Sequence, residues 1–283
     1  MVTHAPPWYT ERRERQLASS SPHPNRHPED DAPSHQPPAS SIRAIVHFGT
    51  VPSTNDICRA LAEDGILGIA VVADEQTRGR GRHGRAWLAP RGAGLLVSVA
   101  VPSAVYGGVP ARLGICAPLA VAGAIAATSG VGAAIKWPND VLLGGQKVAG
   151  ILTEAAQTYA VVGIGVNLTQ AQSDLPDDVR AYATSLRLAI GAAPDRYHLL
   201  ISLLNGLHRW LRAARADYAA VIEARRGLEA TTSRTVEATG PAGRVVGVGA
   251  GLRDDGALLV HTPDGGMLVL ATAEWSIRIL EGR

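Results

Sequence analysis

The sequence predicts an α+β fold with a small all-β barrel appended to it, and three features carry that prediction. Short β-rich runs follow one another through turn signals, two long apolar helical patterns stand apart from them, and after Gly227 the chain turns into brief strands with turns every eight to ten residues. Strands joined by hairpins, with helices set to one side, imply a mainly antiparallel sheet whose buried face those helices cover.

Residues 1 to about 40 hold 8 of the 18 prolines, four histidines, no glycine and little aliphatic surface beyond Val2 and Leu17. Such a stretch buries too little to offset its ordering entropy, so a disordered tail over 1–40 is expected, its histidines reflecting composition rather than a metal site. Strands are predicted over Ile45–Val51, Ile69–Ala73, Gly94–Val101, Ala133–Trp137, Val141–Leu143, Val148–Glu154 and Tyr159–Leu168, with Gly144-Gly145 as a hairpin turn. Ser53 or Thr54 caps a helix whose apolar face is Ile57, Ala60 and Leu61 and which stops at Gly65. Ala111–Ala127 reads as an apolar helix. Tyr197, Leu200, Leu204, Leu207 and Leu211 recur at helical spacing behind an Asp195 cap, and that pattern continues to Gly227. The last strands are predicted at Arg234–Ala238, Arg244–Ala250, Ala257–His261, Met267–Ala271 and Trp275–Leu280, with turns at Asp255-Gly256 and Asp264-Gly265. Residues 41–227 and 228–283 are therefore expected to form two domains.

Composition removes several classes of function. With 27 basic and 25 acidic side chains, a net charge of +2 and 4% aromatics, the chain lacks the basic excess of a protein that lives by wrapping nucleic acid. Cys58 and Cys116 are too few for a disulfide framework or a zinc site, and both sit in apolar helical settings that favour buried packing, so a reducing, cytoplasmic setting is expected. The 23 residues between Arg112 and Lys136 carry no charge and are long enough to span a bilayer. They are mostly Ala and Gly, interrupted by Pro118 and Thr128-Ser129-Gly130, which argues for a buried helix, a turn and a strand rather than a membrane segment. No apolar run follows the basic residues near the N-terminus, so no secretory signal is expected.

Three segments look chemical. Gly79-Arg80-Gly81-Arg82-His83-Gly84-Arg85 puts three arginines on a backbone loosened by three glycines, which suits a phosphate or carboxylate, or else a solvated or RNA-touching loop. Lys136-Trp137-Pro138-Asn139-Asp140 closes a strand and is followed by Lys147 and Gly150-Ile151-Leu152; it gathers polar groups at a strand end, or is a turn beside a core indole. Ser53-Thr54-Asn55, with Gln76, offers hydroxyls and amides that read a neutral group of both polarities, although Ser53 serves equally as a helix cap.

In this order and spacing, and together with Gly163-Ile164-Gly165-Val166-Asn167, these segments resemble the catalytic core of the biotin protein ligases over about residues 45 to 170. The last region, with Gly251-Leu252 and Gly256-Ala257-Leu258-Leu259, is similar to their closing SH3-like barrel. The resemblance implies a class II aminoacyl-tRNA synthetase-like mixed or antiparallel sheet and a two-step reaction. Biotin's carboxylate attacks the α-phosphorus of ATP to give biotinyl-5′-AMP and pyrophosphate, and a lysine of a biotin carboxyl carrier domain then displaces AMP. Acyl-CoA or pyruvate carboxylases are the implied clients.

By the same resemblance Lys147, Arg82 and Asp140 are the catalytic residues, Asp140 also helping to accept the proton of the incoming lysine. Ser53, Thr54, Asn55, Gln76, Gly79, Arg80, Arg82, Trp87, Lys147 and Gly150 face biotin. Arg82, Arg85, Trp87, Lys136, Asn139, Asp140, Lys147 and Asn167 face the nucleotide. The Gly/Arg loop is expected to be mobile when empty and to order over the intermediate. Mg2+ is expected to ride on ATP, with no dedicated protein cage. The Pro-rich start does not pattern as a helix-turn-helix, so neither DNA binding nor repression is expected, and a monomer or weak homodimer is. The alternatives are a lipoate or octanoate ligase on the same fold and, more distantly, a nucleic-acid module using the Arg/Gly loop.

Overall fold

The computed structural model describes residues 42–241, 243–271 and 274–280. The expected tail over 1–40 lies outside them.

The first sheet has seven strands, β1 Ala44–Val51, β2 Ile69–Gln76, β3 Gly94–Pro102, β4 Ala134–Lys136, β5 Asp140–Leu143, β6 Gln146–Ala155 and β7 Tyr159–Asn167, in the order β1-β2-β3-β7-β6-β5-β4. Only β1 and β2 run parallel; every other neighbour is antiparallel. The parallel pair needs a crossover, which helix α1, Thr54–Glu63, supplies. Gly144 and Gly145 turn the β5–β6 hairpin with φ of 55° and 82°, a conformation that glycine adopts without cost.

Five further helices follow: α2 Ser103–Tyr106, α3 Ala111–Ser129, α4 Leu186–Ile190, α5 Arg196–Ala216 and α6 Tyr218–Arg226. The two long ones cover one face of the sheet. Val97, Val99, Val162, Ile164, Ala149 and Ile151 from the strands pack with Leu113, Leu119, Ile125, Leu200, Leu203 and Leu207 in one apolar core. Of the helices among the described residues, α3 alone is long and apolar enough to cross a membrane, and its apolar side chains are spent on this core.

Three helix expectations need correction. Along α1 the buried side chains are Thr54, Asn55, Cys58, Leu61 and Ala62, while Ala60 is exposed, so the buried stripe is rotated towards Cys58. Tyr197 is exposed and does not belong to the apolar face of α5. The long helical pattern breaks at Asp217, whose carboxylate accepts from Ala220 N at 3.1 Å and starts α6 as a separate helix, because an aspartate satisfies an orphan N–H better at a cap than inside a helix.

The second sheet is antiparallel, with β8 Thr235–Gly240, β9 Gly243–Leu252, β10 Leu258–His261, β11 Met267–Leu270 and β12 Ser276–Ile279 in the order β11-β10-β9-β8-β12. Val236, Ala238, Leu258, Val260 and Leu270 form its core, and Trp137, in the turn after β4, inserts among them. The Trp137 indole donates from Nε1 to Gly256 O at 3.1 Å. Of the two readings of Trp137, the core one is what the structure shows.

Candidate active site

Alternation along β3, β6 and β7 sends one set of side chains into the helix-covered core and leaves the other face for Ser98, Gly150, Glu154, Gly163 and Gly165. Gly150 and Gly165 lie opposite each other and form a floor on which the Trp87 indole rests. A methyl group on Gly165 would meet Trp87 Cε2 at 2.4 Å, and one on Gly150 would meet Cζ3 at 2.9 Å, so only glycine permits this approach.

At one end of the floor lies a neutral cluster. The Thr54 amide and hydroxyl both donate to Gln76 Oε1, at 2.7 and 2.9 Å. Ser98 Oγ lies 2.7 Å from Thr54 Oγ1 and 2.6 Å from Asn55 Oδ1, so its single proton has two acceptors. Asn55 donates to Glu154 at 2.5 Å. Ser53 occupies the cap position of α1, yet its hydroxyl makes no capping bond. Sequence reading missed Ser98 and Glu154. The available signal for Ser98 was one hydroxyl residue within the otherwise apolar run of β3.

At the other end lies a charged cluster. Lys147 Nζ reaches Asp140 Oδ1 at 2.6 Å and Lys136 Nζ reaches Asp140 Oδ2 at 2.9 Å. Burial alone would raise the Asp140 carboxyl, but the charges and hydrogen bonds of Lys147 and Lys136 outweigh it and hold the group below the usual carboxylate range. A bulge brings Lys147 here. The pairing shifts between Val141 and Leu142, so Val148 and Ala149 are both buried in the core and Lys147 comes to lie against Gly150 beside Asp140. Lys147 Nζ also stands 5.5 Å from the centre of the Trp87 ring.

The Gly/Arg loop joins the two ends as a tight hairpin. Gly81 N donates to Arg85 O at 2.7 Å, Trp87 N to Gly79 O at 3.0 Å, and Arg80 bridges Ala86. Arg82 donates to Asn139 Oδ1 at 2.9 Å and to Trp275 O at 2.7 Å, so it ties the loop to both sheets next to Asp140. Burial lowers its guanidinium below the ordinary value, against the raising effect of Asp140.

Four expected site residues contact other parts of the chain or face solvent. Arg80 turns away from the charged cluster and grips Asp56 through two bonds of 3.0 and 2.6 Å, with Glu154 at 3.7 Å. That bidentate pairing raises Arg80 and lowers Asp56. Arg85 is exposed on the hairpin turn. The Asn167 amide is spent inside the protein, donating to Thr184 O at 2.9 Å and accepting from Gln170 at 3.0 Å. Since Lys147 exchanges backbone bonds with Tyr182 and Thr184, Asn167 supports the strand edge that carries Lys147. Asp140, assigned as a proton acceptor, has each carboxylate oxygen on a lysine and is a poor base in this state. Cys58 and Cys116 are buried, and burial pushes both thiols up to about 12, which removes thiolate chemistry.

Comparison with known proteins agrees with this geometry. Residues 51–168, which contain both clusters and the loop, match the biotin/lipoate A/B protein ligase family. The chain is 39% identical over 231 residues to a biotin–[acetyl-CoA-carboxylase] ligase of Mycobacterium tuberculosis, covering 77% of this chain and 81% of that protein. It is 38% identical over 238 residues to a ligase of the same name from Paracoccus denitrificans, covering 77% of this chain and 95% of that one. The solved biotin protein ligase of Aquifex aeolicus in complex with biotin and ATP superimposes with a TM-score of 0.76 at 28% identity, over 84% of this chain and 100% of its own. The chain belongs to the biotin protein ligase family.

Proposed function

We propose that this chain activates biotin with ATP to biotinyl-5′-AMP and transfers the biotinyl group to one lysine of a biotin carboxyl carrier domain of an acyl-CoA or pyruvate carboxylase. The observation that carries the reading is the pairing, under one Arg-bearing loop, of a neutral hydroxyl and amide cluster with a cluster of three cations around one carboxylate.

A carboxylate and a triphosphate repel each other, so bond formation at the α-phosphorus requires positive charge on both. Lys147, Lys136 and Arg82 supply it at the end of the floor where Asn139 and Asp140 fix their positions. The ureido ring of biotin has donors and an acceptor, which Ser53, Thr54, Asn55 and Gln76 complement, while the Trp87 indole provides the apolar wall for the bicycle. The Gly/Arg loop acts as a lid that keeps water from the acyl-adenylate. Mg2+ enters on the phosphates of ATP: Asp140, the carboxylate at the charged end, already has both oxygens on lysines.

We assign residues 41–227 as the ligase domain on a class II synthetase-like sheet, and 228–283 as an SH3-like domain. We further assign a cytoplasmic, monofunctional enzyme that binds neither operator DNA nor membrane, as a monomer or weak homodimer. A lipoate or octanoate ligase is the competing reading. ATP–pyrophosphate exchange driven separately by biotin, lipoate and octanoate decides between them: exchange with biotin alone is expected, and exchange with either other acid instead overturns the proposal.

A further inference from the structure

Arg225 and Glu229 form an ion pair, Nη1 to Oε2 at 2.5 Å, in which neither side chain keeps any exposure. Arg225 sits in the last turn of α6, and Glu229 lies just beyond the end of that helix. The arginine is sparsely bonded: among the described residues its Nε and Nη2 have no hydrogen-bond partner, and Nη1 reaches Ile135 O at 3.4 Å. Burying a guanidinium on such terms is costly, and a well-packed apolar pair of similar volume is often as stable or more so. Stability alone is a poor reason for the pair.

The carboxylate has a second contact that an apolar residue cannot supply. Its other oxygen, Oε1, accepts from Trp137 N at 3.3 Å, from Thr231 N at 3.1 Å and from Thr231 Oγ1 at 2.7 Å. The backbone around Glu229 runs parallel to β4, with Ile135 N donating to Leu228 O at 2.7 Å and Ala230 N to Ile135 O at 2.9 Å. β4 ends in Lys136, and the turn after it returns to Asp140. Asn139 ties the far arm of that turn to Ile151, whose N donates to Asn139 O at 3.2 Å and whose O accepts from Asn139 Nδ2 at 2.5 Å. The near arm, where Lys136 passes into Trp137, is tied by Glu229. Pro138 has no N–H, so Trp137 N is the amide by which that arm is fastened.

We propose that Glu229 is a positioning residue for adenylation: its Oε1 fixes the near arm of the turn from Lys136 to Asp140, and Arg225 keeps that carboxylate aimed. The inference rests on the ligase reading. Glu229 touches no reacting atom; it sets where Lys136 and Asp140, paired at 2.9 Å, stand at the charged end of the floor. Misplacing such groups by about 1 Å costs up to about 10²-fold in rate. Thr231 extends the same anchor to the second sheet, because its carbonyl lies so close to Gly249 of β9 that no side chain fits there.

The test is biotin-dependent ATP–pyrophosphate exchange over a range of biotin concentrations on the full chain, with urea denaturation to verify folding. Two double variants of roughly conserved volume separate the acceptor from the charges. Arg225→Met/Glu229→Gln removes both charges but keeps an acceptor oxygen, and is expected to hold its maximal rate within about threefold of the unaltered chain. Arg225→Met/Glu229→Met removes the acceptor as well, and is expected to lose about tenfold or more in maximal rate with half-saturating biotin changed by less than about threefold. A folded second variant with full maximal rate overturns the proposal. So does an equal loss in both variants, or a loss that falls on half-saturating biotin instead. If the second variant does not fold, Glu229→Asp decides, since it keeps the charge and withdraws the oxygens by one methylene. A loss of about fivefold or more in its maximal rate is expected, and a rate within about twofold of the unaltered chain overturns the proposal. Failure of the ligase reading shows separately, as absence of biotin-driven exchange in the unaltered chain, and takes the inference with it.

Discussion

The two ends of the glycine floor are built on opposite principles. Ser98, Thr54, Asn55 and Gln76 are uncharged side chains bonded to one another, Gln76 part-buried and the other three buried, with Ser98 fully enclosed and Glu154 the charged group that Asn55 touches. Around Asp140 the groups are charged, part-exposed and held by ion pairs. A neutral network is rigid and selects by shape and polarity, whereas a charged one changes the energy of charge developing in front of it. The difference teaches which variants should alter affinity and which should alter rate.

The largest effect is expected at the charged end. Lys147→Ala should lower pyrophosphate exchange at saturating biotin and ATP by about 10²- to 10³-fold, corresponding to about 3 to 4 kcal/mol of lost transition-state stabilisation. Stopped or quenched single-turnover assays read this directly, and a loss under tenfold would blur the contrast between the two ends. At the neutral end Ser98→Ala leaves Thr54 and Asn55 with one fewer buried donor and should cost about 1 to 3 kcal/mol of stability, measured by urea denaturation. Gly165→Ala places a methyl 2.4 Å from Trp87 and forces the indole off the floor. Overpacking of that kind costs about 1 to 3 kcal/mol, expected here as a rise of about tenfold in the biotin concentration for half-maximal exchange.

The smallest effect concerns pH. The Asp140 carboxyl is held below its ordinary value of 3.8, so the unfolded chain takes up the proton first on acidification. Its contribution to stability is present above that value and is lost as pH falls through the lower folded one. Asp140→Asn should therefore show a shallower loss of stability below about pH 4 than the unaltered chain, read from thermal melts across the acid range.

Much of the fold was legible because strand signals here are local. β-rich runs bounded by turn residues predict β3 and β7 to within a residue at their ends, and Gly144-Gly145 predicts its hairpin. What escaped was non-local or irregular. The bulge at Val148 puts two consecutive residues into the core and turns Lys147 into the site, which an alternation rule cannot foresee. The Trp137 indole finds its acceptor 119 residues away, so its core role depends on how the two sheets meet. Arg80 looked like a ligand for an anion because the loop is basic; its partner Asp56 sits on α1, and only the folded chain brings them together. Ser98 carries no motif, and its importance comes from the neighbours that alternation places around it.

The division of labour between the two ends is tested most directly by measuring biotin-dependent pyrophosphate exchange over a range of biotin concentrations for Lys147→Ala and Thr54→Val side by side. Lys147→Ala is expected to lose maximal rate with little change in half-saturating biotin. Thr54→Val is expected to keep its maximal rate and to need about tenfold more biotin, the loss of one or two hydrogen bonds of about 0.5 to 1.5 kcal/mol each. The reverse pattern, with Thr54→Val lowering the maximal rate and Lys147→Ala only weakening biotin binding, would contradict the account.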